Sequence, residues 1–153
     1  MSLRTHLAKF ESLAACLQSP LLLVIRLYWG LAFFMTGKGK FMHLDRTAEF
    51  FDSLHIPLPK LNALMASSTE CFGGVLLALG LFSRLASVAL AGVMVVAYAT
   101  ADRAALMAIF SDPDKFLGAD PFLFLLASLL VLAFGPGKVS VDHFWRRREA
   151  GGV

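Results

Sequence analysis

The sequence predicts an all-α fold: an integral membrane four-helix antiparallel bundle with an N-terminal amphipathic interfacial helix. Of the 153 residues, 58% are apolar and only 16% are charged, whereas soluble domains carry about 25% charged residues. The apolar residues form four long runs, and no alternation of polar and apolar residues indicates a strand. A mean hydropathy of +0.70 is typical of a chain that lies largely within a bilayer.

The chain divides into three predicted parts, at residues 1–18, 19–143 and 144–153. In the first part, apolar residues such as Leu3, Leu7 and Phe10 recur every three or four positions, which is typical of a helix lying in the headgroup plane. The second part is the transmembrane domain, and the third is a basic tail. The predicted membrane helices cover about residues 20–40, 61–82, 84–104 and 120–135.

Prolines and glycines indicate where these helices begin and end. The run of residues 21–36 spans only about 24 Å at about 1.5 Å per residue, short of a hydrocarbon core about 30 Å thick. We therefore expect either that Pro20 lies inside the first helix or that Lys38 and Lys40 snorkel to the interface. Residues 41–60 form the longest polar connection, whose phenylalanines suggest that it packs back onto the bundle.

The later helices carry sharper boundary signals. Ser83 and Arg84 form a turn so short that the third helix must run back beside the second. Asp112 and Asp120 each precede a proline, which predicts an N-cap followed by proline at the first helical position. The last predicted membrane helix starts in this way, and the run Gly-Pro-Gly at residues 135–137 ends it.

Arg26 and Glu70 are the charges that fall within membrane-length apolar runs. Charges at such depth are expensive and mark a functional site or a fixed contact between helices. On the predicted helices the two Cα atoms differ in depth by roughly 9 Å, a gap that two long side chains nearly close. Lys38 or Lys40 approaches Glu70 from the other end, so the partner of Glu70 among these three cations stays open.

A buried ion pair has two interpretations. It locks two helices in register, or it belongs to a pocket for an amphipathic ligand such as a quinone, bordered by Tyr28, Trp29 and Tyr98. In the second interpretation Glu70 is the catalytic residue that relays a proton. Arg26 or Lys40 then stabilises the oxygen of the reduced quinone.

Other chemistries lack support in the sequence. His43 and His55 lie twelve residues apart, which matches no strong ligand spacing, so we predict no metal site. Cys16 and Cys71 form no dithiol motif, and neither a phosphate-binding loop nor a hydrolase triad is present. The net charge of +3 comes from residues at the ends of apolar runs, which indicates the lipid bilayer as partner and argues against nucleic acid.

An even number of crossings places both termini on the same side of the membrane. The terminal side carries seven basic residues, Arg4, Lys9, Arg84, Lys138, Arg146, Arg147 and Arg148. The opposite side carries six, Lys38, Lys40, Arg46, Lys60, Arg103 and Lys115. The positive-inside rule gives most weight to cations close to a helix end, so the four that follow the last helix favour cytoplasmic termini.

Seven short motifs follow one another along the chain in an order that is typical of one protein family. They are RLYWG at residues 26–30, GKGK at 37–40, ECFGG at 70–74, LGLFSR at 79–84, AY at 97–98, DPF at 120–122 and FGPGKVSVD at 134–142. With this order and spacing, residues 20–143 resemble the DoxX family of small bacterial membrane proteins with four crossings. The matching polar positions are Arg26, Lys40, Glu70 and Arg84.

The resemblance implies a protein of the bacterial inner membrane and, by analogy with some relatives, a quinone-linked oxidoreductase component that works with a membrane or peripheral redox partner. The four polar positions are then quinone or partner contacts. The motifs are most similar to a subgroup encoded beside copper-responsive modified peptides. Fold transfers within a family more readily than function does.

Two other functions stay open at the level of sequence. The first is that of a non-catalytic anchor or assembly factor for a redox or copper-stress system, in which residues 41–60 dock a partner. Alternatively the protein exports a small ligand or metal, for which a homo-oligomer supplies the further crossings that transporters need.

Overall fold

The computed structural model describes residues 3–150, and within that range it contains only helices and turns. The eight helices are α1 Leu3–Met42, α2 Leu44–Ser53, α3 Pro59–Leu79, α4 Ser83–Thr100, α5 Arg103–Met107, α6 Pro113–Leu117, α7 Pro121–Phe134 and α8 Val141–Ala150. Three of them, α1, α3 and α4, are long and apolar enough to cross a bilayer, whereas α7 is apolar but only 14 residues long. The chain is therefore an all-helical membrane protein.

The first helix is longer than the sequence indicates. It runs without a break through Pro20, so no turn separates the predicted interfacial segment from the first crossing. Pro20 lacks an N–H for the helix ladder, and membrane helices tolerate such a loss. The structure does not describe residues 1–2 or the side chains of Leu3, Leu7 and Leu13, so the amphipathic face stays a prediction.

Helices α1 and α3 pack antiparallel along a seam of glycines. A β-carbon at Gly30 would lie 2.7 Å from the backbone of Gly74 and Ala78, and one at Gly37 would lie 2.6 Å from the backbone nitrogen of Cys71. Such backbone contact is how bilayer helices associate, since lipid removes the hydrophobic drive between them. The seam fixes the register of α1 against α3 and so decides which charges meet.

Beside this seam a compact layer of apolar side chains fills the centre of the molecule. Phe33, Leu77, Leu90 and Val131 are fully buried against one another, one from each of α1, α3, α4 and α7. The aromatic ring of Phe124 packs edge-on against Phe33, with the ring centroids 4.7 Å apart. The layer closes the middle of the helix packing.

The connections contain more helix than the sequence indicates. Residues 41–60 contain the helix α2, which packs on α3 and buries Ala48, so this polar connection packs back as predicted. The third membrane helix ends at Thr100, and the short α5 follows after a turn. Residues 41–60 combine polar residues with an apolar stripe, which favours a short surface helix over a loop.

The two predicted N-caps also behave differently. The Asp112 side chain accepts a hydrogen bond from the backbone of Lys115 and caps α6. Helix α7 begins at Pro121 as predicted, but Asp120 has helical backbone angles and makes no capping hydrogen bond. An N-cap side chain needs a non-helical backbone to reach the first free N–H groups, so the prediction of an Asp120 cap is wrong.

Candidate functional site

Glu70 lies in the middle of α3 and is almost completely buried, with 1% of its surface exposed. Its Oε1 accepts a hydrogen bond from Lys40 Nζ at 2.5 Å. Its Oε2 is buried without a hydrogen-bond partner. Burial of a carboxylate oxygen without a hydrogen-bond donor costs free energy. Oε2 is therefore free to bind a proton or to accept a hydrogen bond from a ligand.

The glycine seam explains why Lys40 reaches Glu70. Gly37 lies against the backbone of Cys71 and the β-carbon of Glu70, and Lys40 follows Gly37 by three residues on the same helix face. Lys40 therefore extends over Glu70, while 34% of its side-chain surface stays exposed. Of the three cations that the sequence left open, the structure selects Lys40.

A cavity of about 1000 Å³ lies beside this ion pair. Near the turn between α3 and α4 the helices touch, because Gly73 leaves room for the side chain of Leu90. Farther from the turn residues 62–70 and 89–101 form opposite walls, and α2 and the start of α7 form further parts of the wall. The cavity is a wedge that widens away from the α3 to α4 turn.

The polar groups of the cavity are unevenly distributed. Lys40 and Glu70 form one polar group. Arg46, Asp102 and Asp120 border the end of the cavity that lies nearest α2 and the connection between α4 and α7. Most of the remaining wall is apolar, formed by Phe50, Phe51, Leu54, Ile56, Met65, Val93, Met94, Val96 and Phe124. Mostly apolar walls with a few convergent polar groups are typical of sites for amphipathic small molecules.

The opposite end of the molecule is closed around Arg26. This side chain is 0% exposed, and its Nη2 donates a hydrogen bond to the carbonyl oxygen of Val139 at 2.5 Å. Its Nε and Nη1 have no hydrogen-bond partner. The guanidinium lies against Gly80, whose φ of +70° suits a residue without a β-carbon.

Residues 135–142 cover this end. The Asp142 carboxylate accepts hydrogen bonds from the backbone N–H groups of Phe82 at 2.8 Å and Ser83 at 3.0 Å, and from the Ser83 hydroxyl at 2.9 Å. The backbone N–H of Asp142 donates to the carbonyl oxygen of Gly80. Asp142 thus satisfies free N–H groups at the start of α4 and fastens the segment to the turn.

Arg26, one of the three cations left open as the partner of Glu70, does not contact it. Gly30 lies opposite Gly74 and Ala78 in the seam, and by the same antiparallel register Arg26 lies level with Gly80. Ten residues of helix separate Gly80 from Glu70, or about 15 Å at about 1.5 Å per residue. The predicted depths of both charges rest on residue counts from assumed membrane faces, and the glycine contacts give a different register.

Four other residues predicted to contact the cofactor do not line the cavity. Tyr28 is exposed on the outer face of α1, and Arg84 is exposed near Gly135. Trp29 packs against Phe124, which lines the cavity, and their ring centroids are 4.9 Å apart. Tyr98 is buried, and its hydroxyl donates a hydrogen bond to the carbonyl oxygen of Phe116 at 2.8 Å.

Several residues of the cavity wall were not predicted from the sequence. Arg46 lies in α2, Asp102 directly precedes α5 and Asp120 directly precedes α7, and only the folded chain brings them together. Ala89, Gly92 and Val96 carried a usable signal, because spacings of three and four residues place them on one face of α4. No group of three or more histidine, cysteine or acidic residues is arranged to bind a metal in the part of the chain that the structure describes.

Two of the known proteins similar to this chain are named as membrane proteins, and a third is named for an enzyme activity. CatD of Bacillus subtilis, named as a proposed oxidoreductase, is 32% identical over 80% of this chain and 84% of its own length. The membrane protein Rv3486 of Mycobacterium tuberculosis is 32% identical over 84% of this chain and 83% of its own. The inner membrane protein YphA of Escherichia coli is 38% identical over 42% of this chain and 46% of its own length.

No solved structure matches the chain. The DoxX family model matches residues 21–103. This range contains the glycine seam, Lys40, Glu70, α2 and both long walls of the cavity. The chain therefore belongs to the DoxX family.

Proposed function

We propose that the protein is a quinone-linked oxidoreductase component of the bacterial inner membrane that works with a partner protein. The observation that carries this proposal is the buried Glu70 carboxylate, held by Lys40 at the wall of a largely apolar cavity. The name of the relative CatD supports the same reaction class.

The residues of the cavity fit a quinone. When bound, a quinone accepts two electrons and two protons, and its two carbonyl oxygens need donors. Lys40 carries an ammonium group that donates hydrogen bonds, and the free Oε2 of Glu70 is able to hold a proton or to accept a hydrogen bond from a hydroxyl. Phe50, Phe51 and Phe124 supply an apolar surface for a ring.

The cavity residues also explain why a partner is needed. Lys40 and Glu70 bind a ligand and move protons, but no side chain that lines the cavity stores electrons. Electrons therefore come from a separate protein. Arg46, Asp102 and Asp120 border the wide end, so a partner that delivers electrons there lies near the ligand.

The membrane topology that goes with this proposal has four crossings. Helix α7 is the fourth, because it contributes Val131 to the central layer beside one residue from each of α1, α3 and α4. The pairing of Lys40 with Glu70 removes one cation from the side opposite the termini, which strengthens the argument for cytoplasmic termini. The wide end of the cavity then faces the outer side of the inner membrane.

Quinone titration of the purified protein tests the proposal. Wild type binds ubiquinone or menaquinone, and Glu70→Gln weakens the affinity at least about tenfold, equal to about 1.4 kcal/mol. The matched control is Glu49→Gln on the exposed surface of α2 outside the cavity, which retains wild-type affinity. A wild-type protein that binds neither quinone contradicts the proposal.

A non-catalytic assembly factor, including one for a copper-peptide system, is the second candidate function. The connection between α4 and α7 exposes large apolar side chains, and Phe110 is 95% exposed. Exposed apolar surface is typical of sites that contact another protein or the membrane. Complementation of a deletion strain separates the candidates: an assembly factor tolerates Glu70→Gln but fails with Phe110→Ser, and an oxidoreductase component shows the reverse.

A further inference from the structure

The cavity opens sideways between α3 and α4. Met65 on α3 and Ala89, Gly92 and Val96 on α4 line the cavity, and all four residues are exposed. Both helices are long and apolar enough to cross the bilayer, so this opening faces acyl chains. The gap follows from the divergence of α3 and α4 away from their common turn.

Gly92 in this gap is a glycine that helix packing does not explain. Gly30, Gly37 and Gly74 allow close contact between backbones, whereas a β-carbon at Gly92 would meet nothing within 4 Å. Glycine in a helix interior costs about 1 kcal/mol relative to alanine. Gly92 keeps the side opening wide in the middle of α4.

The two openings of the cavity differ in chemistry. The wide end carries Arg46, Asp102 and Asp120, and a long apolar tail that passed there would leave the bilayer at a cost of about 0.8 kcal/mol per methylene. The side gap is bordered by Met65, Val96 and small residues. A tail that lies in this gap stays among hydrocarbon.

We infer that the gap between α3 and α4 is the entry for an amphipathic ligand whose head group reaches Glu70 and Lys40 while its apolar tail remains in the bilayer. Gly92 sets the width of this entry. The inference rests on the proposed quinone function and adds the route and the tail that the site selects.

Replacement of Gly92 by a bulky residue tests the entry. Gly92→Trp fills the gap, and we expect it to weaken binding of a ubiquinone with a full isoprenoid tail at least about tenfold. The tail-less benzoquinone with the same ring retains its affinity. Val95→Trp is the matched control, because Val95 is exposed on α4 but does not line the cavity, and it changes neither affinity.

The outcomes separate this inference from the proposed function. If Glu70→Gln weakens full-tail binding and a folded Gly92→Trp protein does not, the side entry is wrong and the quinone site stands. If Gly92→Trp does not fold, Ala89→Phe takes its place, since Ala89 borders the same gap. Absence of any quinone binding in wild type contradicts the proposed function.

A spin label tests the gap without a quinone. The label is placed at Thr69→Cys on the cavity wall, in a protein that also carries Cys16→Ser and Cys71→Ala. In bilayers we expect frequent collisions with dissolved oxygen, which concentrates in hydrocarbon, and few with a water-soluble nickel chelate. A label shielded from oxygen, or reached only by the chelate, overturns the side entry.

Discussion

The two charges buried in membrane helices have opposite surroundings. Arg26 lies at the end where residues 135–142 cover the turn between α3 and α4, and it donates a hydrogen bond to a backbone carbonyl. Glu70 lies at the wall of a cavity, paired with a half-exposed Lys40 and with one carboxylate oxygen free. Both charges are equally buried, so burial alone does not distinguish a structural charge from a functional one.

The difference teaches that the space beside a buried charge carries the functional information. Arg26 borders backbone atoms of Gly80 and Val139 and does not line the cavity beside Glu70. We therefore assign the closed end to stability and the open end to ligand binding. Variants at the two ends test this division.

Gly37→Leu has the largest expected effect, because it separates the helices that hold the open end together. Its side chain collides with the backbone of Cys71, and we expect a loss of about 4 kcal/mol or more in unfolding free energy. Gly39→Leu is the control, since a β-carbon there meets nothing within 4 Å. Unfolding titrations in mixed detergent measure both, and equal stability of the two variants contradicts the glycine seam.

Lys40→Met leaves Glu70 buried without its cation. We expect a loss of about 3 kcal/mol in unfolding free energy, and the double variant Lys40→Met with Glu70→Leu recovers part of it. Lys38→Met, which removes an exposed cation with no ion pair within 4 Å among the described residues, changes stability by less than about 0.5 kcal/mol. A Lys40→Met protein as stable as Lys38→Met removes the basis for a charged open end.

Asp142→Ala loosens the closed end. It removes three hydrogen bonds to Phe82 and Ser83, and we expect a loss of about 2 kcal/mol in stability. Quinone affinity of the folded protein stays within twofold of wild type, because the cavity lies beyond the central apolar layer. A loss of affinity without a loss of stability reverses the proposed division between the two ends.

Tyr98→Phe has the smallest expected effect. It removes the hydrogen bond to the Phe116 carbonyl and lowers stability by about 1 kcal/mol, with no change in quinone affinity. Tyr28→Phe on the exposed face of α1 changes neither quantity. Thermal unfolding and quinone titration measure both variants, and a fall in affinity for Tyr98→Phe restores this residue to the site.

The sequence predicted the all-helical membrane class, singled out Arg26 and Glu70 and named Lys40 among the possible partners of Glu70, because apolar runs and the charges in or beside them are local signals. It did not predict the partner of Glu70, since that depends on how Gly30 and Gly37 set the register of α1 against α3. The cavity was beyond prediction for the same reason. Its wall joins residues as distant in sequence as Arg46, Asp102 and Asp120, which no periodicity connects.

Native mass spectrometry of the protein released from its own membrane tests directly whether the open end beside Glu70 binds a quinone. We predict a bound species with the mass of a membrane quinone on wild type and on Asp142→Ala, and its loss from Glu70→Gln. A wild-type protein without that species, or a Glu70→Gln protein that retains it at the wild-type level, contradicts the assignment of the open end as the ligand site.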